Sequence, residues 1–568
     1  MRGYDDMPAA PDLIVLGSGA AGLAAAVTAA RHGLKVLVVE KDDRFGGASA
    51  ISGGTIWIPG NRQAVEAKLD ASLATARTYL SQLIGDRGDQ AMIDTFLARG
   101  EEALAFLEEN TELKFKVRPI SPDYHMELEG ASIGGRALEV IEFDGSRLGK
   151  RFSALRKPPE GMLLFGGMMV NRVDIQHFLT ARRSWASLKH CMKLLARYAK
   201  DRVRHERGTR LVVGNALIAR LASSAFELGV DLRLGVKTKA LIESGGEVRG
   251  IVVETPTGEM EIPATAGVVL ATGGFGAASE AGAWRPGTDG SHRSMSPAGN
   301  TGDGLALAES VGAVTGGGLA SNFYWAPVSV LSRADGGEEK FPHLVTDRAK
   351  PGLIAVNRHG RRFVNEADSY HRFVMAMLAD PEVNSPCHLI CDARALAAYG
   401  MGLARPAPAS NGSLVARGYL VKAASLDELA GKIGVPAQTL RETVERYNRD
   451  ASAGTDPEFG KGGSAYNRSM GDTVHRPNPC LAPMAEPPFY AVKLTTGDLG
   501  SARGIRIDDR ARALDAADTP IPGLYAIGND MNSIMNGTYP GPGITLGPAL
   551  TFGYIAACDA VDRLNQLR

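Results

Sequence analysis

Four consecutive apolar residues, Leu13 to Leu16, run into Gly17, and an alanine-rich stretch then continues to about His32. A short apolar run ahead of a glycine predicts a strand buried on both faces, and the stretch behind it predicts a helix. Gly33 stops that helix, and "LKVLVVE" predicts a second strand closing on Glu40. Apolar and polar residues alternate around glycine-containing turns over residues 238–264, which predicts a small β-meander. Trp185, Leu188, Met192, Leu195, Ala199 and Val203 recur at three- and four-residue spacing, which predicts an amphipathic helix within 181–210. Near the C-terminus "GLYAIGND" reads as an apolar strand ending at Gly528, and "ITLGPALTFGYIAACDAV" as a final helix.

The first strand, turn and helix carry the clearest chemistry. Gly17, Gly19 and Gly22 make G-x-G-x-x-G, with a strand before it, a helix after it and an acid, Glu40, 18 residues beyond Gly22. That context predicts a dinucleotide site. Gly17 permits the tight turn, Gly19 lets the backbone approach a pyrophosphate, and Gly22 lets helix and strand pack closely. The helix N-terminus offers free N–H groups to the phosphates, and Glu40 offers its carboxylate to a ribose.

Composition adds limits. At 568 residues the chain exceeds one ordinary domain of roughly 100–200 residues. Its 63 basic and 63 acidic residues balance, so no net field favours nucleic acid. Five scattered cysteines fit free thiols in a reducing compartment, and no matching His/Cys pair stands near Cys387 and Cys391 to complete a metal site. With neither a signal pattern at the N-terminus nor an apolar run of membrane-spanning length, the expected location is the cytoplasm. Residues 181–210 hold ten Lys or Arg against two acids. Two readings of this helix stand: one packed on the body with a solvated basic face, or a peripheral membrane contact.

Three segments decide which dinucleotide. The small-residue loop after Glu40, "KDDRFGGASAISGG", resembles the extension with which flavoproteins line FAD; "GVVLATGGFG" (267–276) and "GLYAIGND" (523–530) resemble two further flavoprotein motifs. The chain as a whole resembles the fumarate reductase/succinate dehydrogenase flavoprotein superfamily, through "NTGDGLALAESVGA" and "VNRHGRRFVNEADSY" to the last helix. The resemblance implies an α/β fold, a Rossmann-like FAD-binding domain split by an inserted α+β capping domain. The expected division is 1–280 and 489–568 for the FAD-binding parts and 281–488 for the cap. Carried over position by position, the cofactor residues are Gly17, Gly19, Ala20, Ala21, Gly22, Glu40 and Lys41, then Gly47, Ala48, Ser49, Ser52, Gly53 and Gly54. Further along they are Val236, Ala271, Thr272, Gly273, Gly528, Asn529, Gly543, Thr545 and Leu546. "GGASAISGG" lacks the histidine to which succinate dehydrogenases attach flavin, so non-covalent FAD is expected.

Within the superfamily the fumarate reductases place an arginine five residues after the Asn of "RF-x-NE"; here that position is Tyr370. "TTGDLGSARG" lacks the expected histidine, and "TYPGPG" stands where a dicarboxylate-binding arginine belongs. The 3-ketosteroid 1-dehydrogenases are similar to this chain at each point, in "SPDYHMELEGASIGGRALE", "NEADSY" and "TYPGPG". That resemblance assigns catalytic roles to Tyr124, Tyr370, Tyr539 and Gly543, and implies an FAD-dependent desaturation of a hydrophobic cyclic ketone. Tyr370 would take the α-proton with Tyr124 as relay, the β-hydride would pass to flavin N5, and Tyr539 and the Gly543 N–H would polarise the carbonyl. An acceptor such as a quinone would reoxidise the flavin. Alternatives are a dehydrogenase of a smaller cyclic ketone, a flavin enoate or fumarate-type reductase, and a non-catalytic FAD-binding protein. His125 and His371, beside two of the tyrosines, are expected to point elsewhere, and "SNFYWAPVSV" and Trp57 read equally as pocket wall or core.

Overall fold

Residues 10–181, 184–285, 290–344 and 347–568 are described by a computed structural model. The N-terminal nine residues and Arg182 and Arg183, which enter the readings above, lie outside them. Leu13–Leu16 pairs in parallel with Val36–Glu40 on one side and Gly267–Leu270 on the other. The sheet has six strands in the spatial order Arg512–Leu514, Pro520–Ala526, Gly267–Leu270, Leu13–Leu16, Val36–Glu40, Asp231–Leu234. All are parallel except the edge pair of Arg512–Leu514 with Pro520–Ala526. Leu13, Ile14 and Val15 are wholly buried, as an unbroken apolar run requires when helices cover both faces. Helix Ala20–Arg31 packs on the final helix, Leu546–Leu567, and on Val213–Glu227. The fold is thus α/β and Rossmann-like.

The meander forms as three antiparallel strands, Thr238–Ser244, Glu247–Thr255 and Gly258–Pro263. A four-stranded antiparallel sheet elsewhere has the order Leu353–Val356, Cys387–Cys391, Phe489–Leu494, Val421–Ala423. It has its own core, in which Ile354, Val356 and Ile390 meet Leu429, Leu440 and Val444 from two helices. Phe489–Leu494 therefore pairs inside this sheet, whereas the sequence reading has that strand already back in the first domain. Its partners lie about a hundred residues upstream, so nothing local marks its membership. We propose that the inserted unit extends through Leu494.

Helix Trp185–Arg202 forms where the periodicity puts it, but it is not laid on the body by its apolar stripe. Ser187 and Cys191 face inward, while Trp185 is 79 % exposed, Met192 60 % and the capping Val203 81 %. Among the described residues no helix is long and apolar enough to cross a membrane, no group of His, Cys, Asp and Glu could hold a metal, and all five cysteines are free.

Candidate active site

Two elements bring the dinucleotide residues together. Gly17 (φ +107°) ends the first strand, and a Cβ there would stand 2.1 Å from the Ala271 carbonyl oxygen, so only glycine lets the first turn meet the 271–273 turn. Gly19, Ala20, Ala21 and Gly22 open the first helix, whose N-cap residue, Gly19, has no side chain to cap it. The Ala20 N–H donates to Ser49 Oγ at 3.1 Å, bringing the short helix Gly47–Ala50, which contains Ala48, against this turn. Ser52 Oγ donates to the Ser49 carbonyl and accepts from the Gly54 N–H, shaping the loop that holds Gly53. The Glu40 carboxylate accepts from the Ser18 N–H and hydroxyl at 3.1 and 2.6 Å, and the Val236 N–H donates to the Glu40 carbonyl at 3.0 Å. Lys41 turns instead toward Thr301 and Asp303, at 2.7 and 2.6 Å, and ties the "NTGD" segment to the sheet.

Asp530, which the sequence reading passes over, joins two of the motifs. Wholly buried, its carboxylate accepts from the Thr272 hydroxyl at 2.9 Å and the Gly274 N–H at 2.8 Å, holding the Ala271–Thr272–Gly273 turn against Gly528 and Asn529. A small recess opens beside them, lined by Tyr324, Ser501, Gly528, Asn529, Ile544 and Thr545. Thr545 is the N-cap of the final helix and donates no side-chain cap, so the positive end of that helix, beginning at Leu546, faces the recess. A first helix opening on Gly19 and the Glu40 carboxylate fit a dinucleotide cofactor, and the recess lies beside the turns that the later motifs bring together.

The three tyrosines arrive from distant parts of the chain and meet. Tyr124 Oη donates to Tyr370 Oη at 3.2 Å. The Tyr124 and Tyr539 rings stack with centroids 5.5 Å apart, and Tyr370 meets Tyr539 edge-on at 5.0 Å. Tyr466, unmarked by any motif, lies 4.7 Å from Tyr124 and completes the aromatic group. Tyr370 is the first residue of helix Tyr370–Ala379, capped by the Ser369 side chain on the Arg372 N–H. The turn before it is fixed by a buried ion cluster in which Arg362 binds both Glu366 and Asp456 at 2.8 Å.

The "TYPGPG" loop is held by main-chain bonds. The Pro540 carbonyl accepts from the Tyr124 N–H at 2.8 Å and from Tyr79 Oη at 2.6 Å. Gly543 has φ +100°, and a Cβ there would stand 2.5 Å from the Ile56 carbonyl carbon. The neighbouring strand Thr55–Trp57 thus demands glycine here by itself. The Gly543 carbonyl accepts from Trp57 and Gly547, while its N–H makes no hydrogen bond among the described residues. Trp57 is core: its indole donates to Asp123 at 2.9 Å, and Asp123 also accepts from Arg136 at 2.6 Å. Tyr324 of the "SNFYWAPVSV" segment lines the recess, and Phe323 is wholly buried. His371 does stand near Tyr539, 6.0 Å between rings, but its Nδ1 accepts from the Trp325 N–H and burial pushes its pKa down to about 3. It is a neutral neighbour at physiological pH. His125 lies 3.6 Å from Glu127.

Burial raises all three tyrosines, Tyr539 to about 12 and Tyr124 and Tyr370 well above the ordinary tyrosine range. Ionising Tyr539 at pH 7 thus costs about 7 kcal/mol, so it rests as a hydrogen-bond donor. Tyr370 is harder still to ionise in the resting site, with burial first and Tyr124 and Tyr539 adding to it. At neutral pH its hydroxyl therefore rests protonated, and no standing phenolate exists there.

Comparison with known proteins agrees with this architecture. The model of the FAD binding domain family matches residues 12–546. The chain is 39 % identical to 4-oxocyclohex-2-ene-1-carboxylate 5-dehydrogenase of Sinomonas cyclohexanicum, over 98 % of this chain and 94 % of that protein. It is 37 % identical to 3-oxosteroid 1-dehydrogenase of Mycolicibacterium smegmatis, over 96 % of each. Among solved structures it superimposes with a TM-score of 0.90 on 3-ketosteroid delta1-dehydrogenase from Sterolibacterium denitrificans in complex with 1,4-androstadiene-3,17-dione, at 36 % identity, covering 98 % of this chain and 100 % of that one.

Proposed function

The chain belongs to the 3-ketosteroid 1-dehydrogenase family of FAD-dependent flavoproteins and is a ketone dehydrogenase acting on CH–CH donors, and from that premise we propose that it introduces a 1,2-double bond into a 3-ketosteroid. The observation that carries this reading is the meeting of Tyr124, Tyr370 and a protonated Tyr539 at one place. The Gly543 N–H of the same loop makes no hydrogen bond among the described residues, so that Tyr539 and Gly543 would be two donors for one carbonyl oxygen. Loss of an α-proton develops enolate charge on that oxygen, and two preorganised donors stabilise it where water is excluded. Tyr370 accepts the α-proton while its own hydroxyl proton passes to Tyr124, which gives up its hydroxyl proton toward solvent in the same step, so that neither phenol carries two protons. The N-terminal position of Tyr370 on its helix favours the partial negative charge on its oxygen as that proton leaves. FAD, when bound, supplies the acceptor for the β-hydride, and a quinone is the acceptor class we propose for reoxidation. The cofactor and catalytic residues are those assigned above, with Lys41 acting through Thr301 and Asp303.

A second reading, a smaller cyclic ketone, is favoured by the relative at 39 % identity, whose name specifies a six-membered oxo acid. Anaerobic mixing of the holoenzyme with androstenedione and, separately, with cyclohexanone decides between them. Bleaching of the flavin by the steroid is expected. Bleaching by the small ketone alone would favour the second reading, and reoxidation of reduced enzyme by an enone, with neither ketone bleaching it, would make it a reductase.

We also propose a peripheral membrane contact through helix Trp185–Arg202, because its apolar stripe is bare and flanked by exposed Lys189, Lys193, Lys200 and Arg202. Such a face suits an anionic bilayer surface. The protein is expected to sediment with phosphatidylglycerol vesicles, to be released by high salt, and to lose binding as Trp185→Glu; no cosedimentation removes the proposal.

A further inference from the structure

Arg118 is an unusual cation. It follows strand Phe115–Val117, its main-chain N–H is fixed to the Ala137 carbonyl at 2.9 Å, and it precedes Tyr124 by six residues. Its side chain is half-buried, yet it makes no hydrogen bond or ion pair among the described residues. Its charge reaches Tyr124, where it favours the phenolate.

A second guanidinium stands in the same neighbourhood. Arg172 opens helix Arg172–Thr180 and donates to the Ser469 carbonyl at 2.8 Å. Ser469 lies three residues after Tyr466 on helix Ala465–Met470, and Tyr466 packs on Tyr124. No carboxylate pairs with Arg172 among the described residues, and the acid within its reach, Glu139, is held by Lys116 at 2.9 Å. Arg118 and Lys350 repel it, Lys350 donating to the Met470 and Gly471 carbonyls at 2.9 and 2.8 Å. Arg172 is exposed, and its guanidinium donates to the Ser469 carbonyl rather than to an acid. The helix C-terminus accounts for Arg172 and Lys350 as caps. It leaves Arg118 without a function.

Two guanidinium groups that no carboxylate pairs among the described residues, standing within electrostatic reach of each other, are unfavourable neighbours unless an anion arrives. The rim beside Arg118 is apolar, Ile120 and Ile133 being 65 % and 55 % exposed. A ligand matching both features has an apolar ring and a carboxylate, which arginine binds in its own plane.

We infer that Arg118 and Arg172 form an anion-recognising mouth beside the tyrosines, selecting cyclic ketones that carry a carboxylate remote from the reacting carbonyl. This rests on the ketone dehydrogenase reading. Its chemistry is met by a small oxo acid or by a 3-ketosteroid with a side-chain carboxylate.

The test compares, on the holoenzyme, 4-oxocyclohexanecarboxylate with its methyl ester, and a 3-ketosteroid side-chain acid with its methyl ester. In at least one pair kcat/KM is expected to favour the acid by about tenfold or more, chiefly through KM, and less so as salt rises. The pair that shows it identifies the source of the carboxylate. Arg118→Gln with Arg172→Gln is expected to bring the acid-to-ester ratio to about one, and Arg118→Lys to recover part of it. A ratio near one in the unaltered enzyme, or a preference that survives both glutamines, overturns the inference. So does a loss of anionic-vesicle binding by the double variant with its acid-to-ester ratio intact. Should no ketone be turned over, the dehydrogenase reading fails alone. Equilibrium binding of acid against ester, followed by perturbation of flavin absorbance, then decides the arginines separately.

Discussion

Tyr370→Phe is expected to keep its FAD and its ligand affinity while kcat falls about a thousandfold, the middle of the range for removing a general base. The ring stays, so packing on Tyr539 and Tyr124 is retained; only the hydroxyl that meets Tyr124 at 3.2 Å is lost. Flavin absorbance and melting temperature should match those of the parent, and anaerobic bleaching by substrate should slow by the same factor as turnover. Tyr124→Phe should cost less, because a relay can be replaced in part by water. A loss smaller than tenfold in Tyr370→Phe would take the base role away from it.

The second large effect is expected from Gly543→Ala. Three costs coincide there: a positive φ that alanine adopts with strain, collision of the new Cβ with the Thr55 and Ile56 backbone, and displacement of the N–H that we propose polarises the ketone. Neither backbone can yield without moving Trp57, whose indole holds Asp123 and through it Arg136. Strain of a few kcal/mol and a displaced loop predict turnover below detection, lowered FAD content and a lower melting temperature. Gly543→Ala with parental FAD content, stability and kcat would refute both the packing argument and the polarising role.

How much of this was legible in the sequence depended on whether the determinants were local. The strand, turn and helix around Gly17, and Glu40 beyond them, announce themselves because the spacing lies within one supersecondary unit. The tyrosines were marked only by the segments around them, and nothing in 124, 370 and 539 as numbers says that their hydroxyls meet. Asp530 and Arg136 were invisible for a related reason: a buried charge that fixes two distant turns has no periodicity. Periodicity also misled, since the apolar stripe of helix Trp185–Arg202 has the spacing of a packed face and is bare. The pattern reports that one face differs from the other, not which of them meets the protein.

The bond from Tyr124 to the Pro540 carbonyl ties two of the tyrosines to a single body, and Tyr370 comes to them from the helix that follows the Arg362 ion cluster. The proton path proposed above therefore crosses from one part of the chain to another at the 3.2 Å link between Tyr124 and Tyr370. Were the segment bearing Tyr370 to withdraw by a few ångströms to admit a substrate, that link would open while Tyr539 and Gly543 stayed in place. A site joined in this way would hold its ketone first and engage the base only once closed.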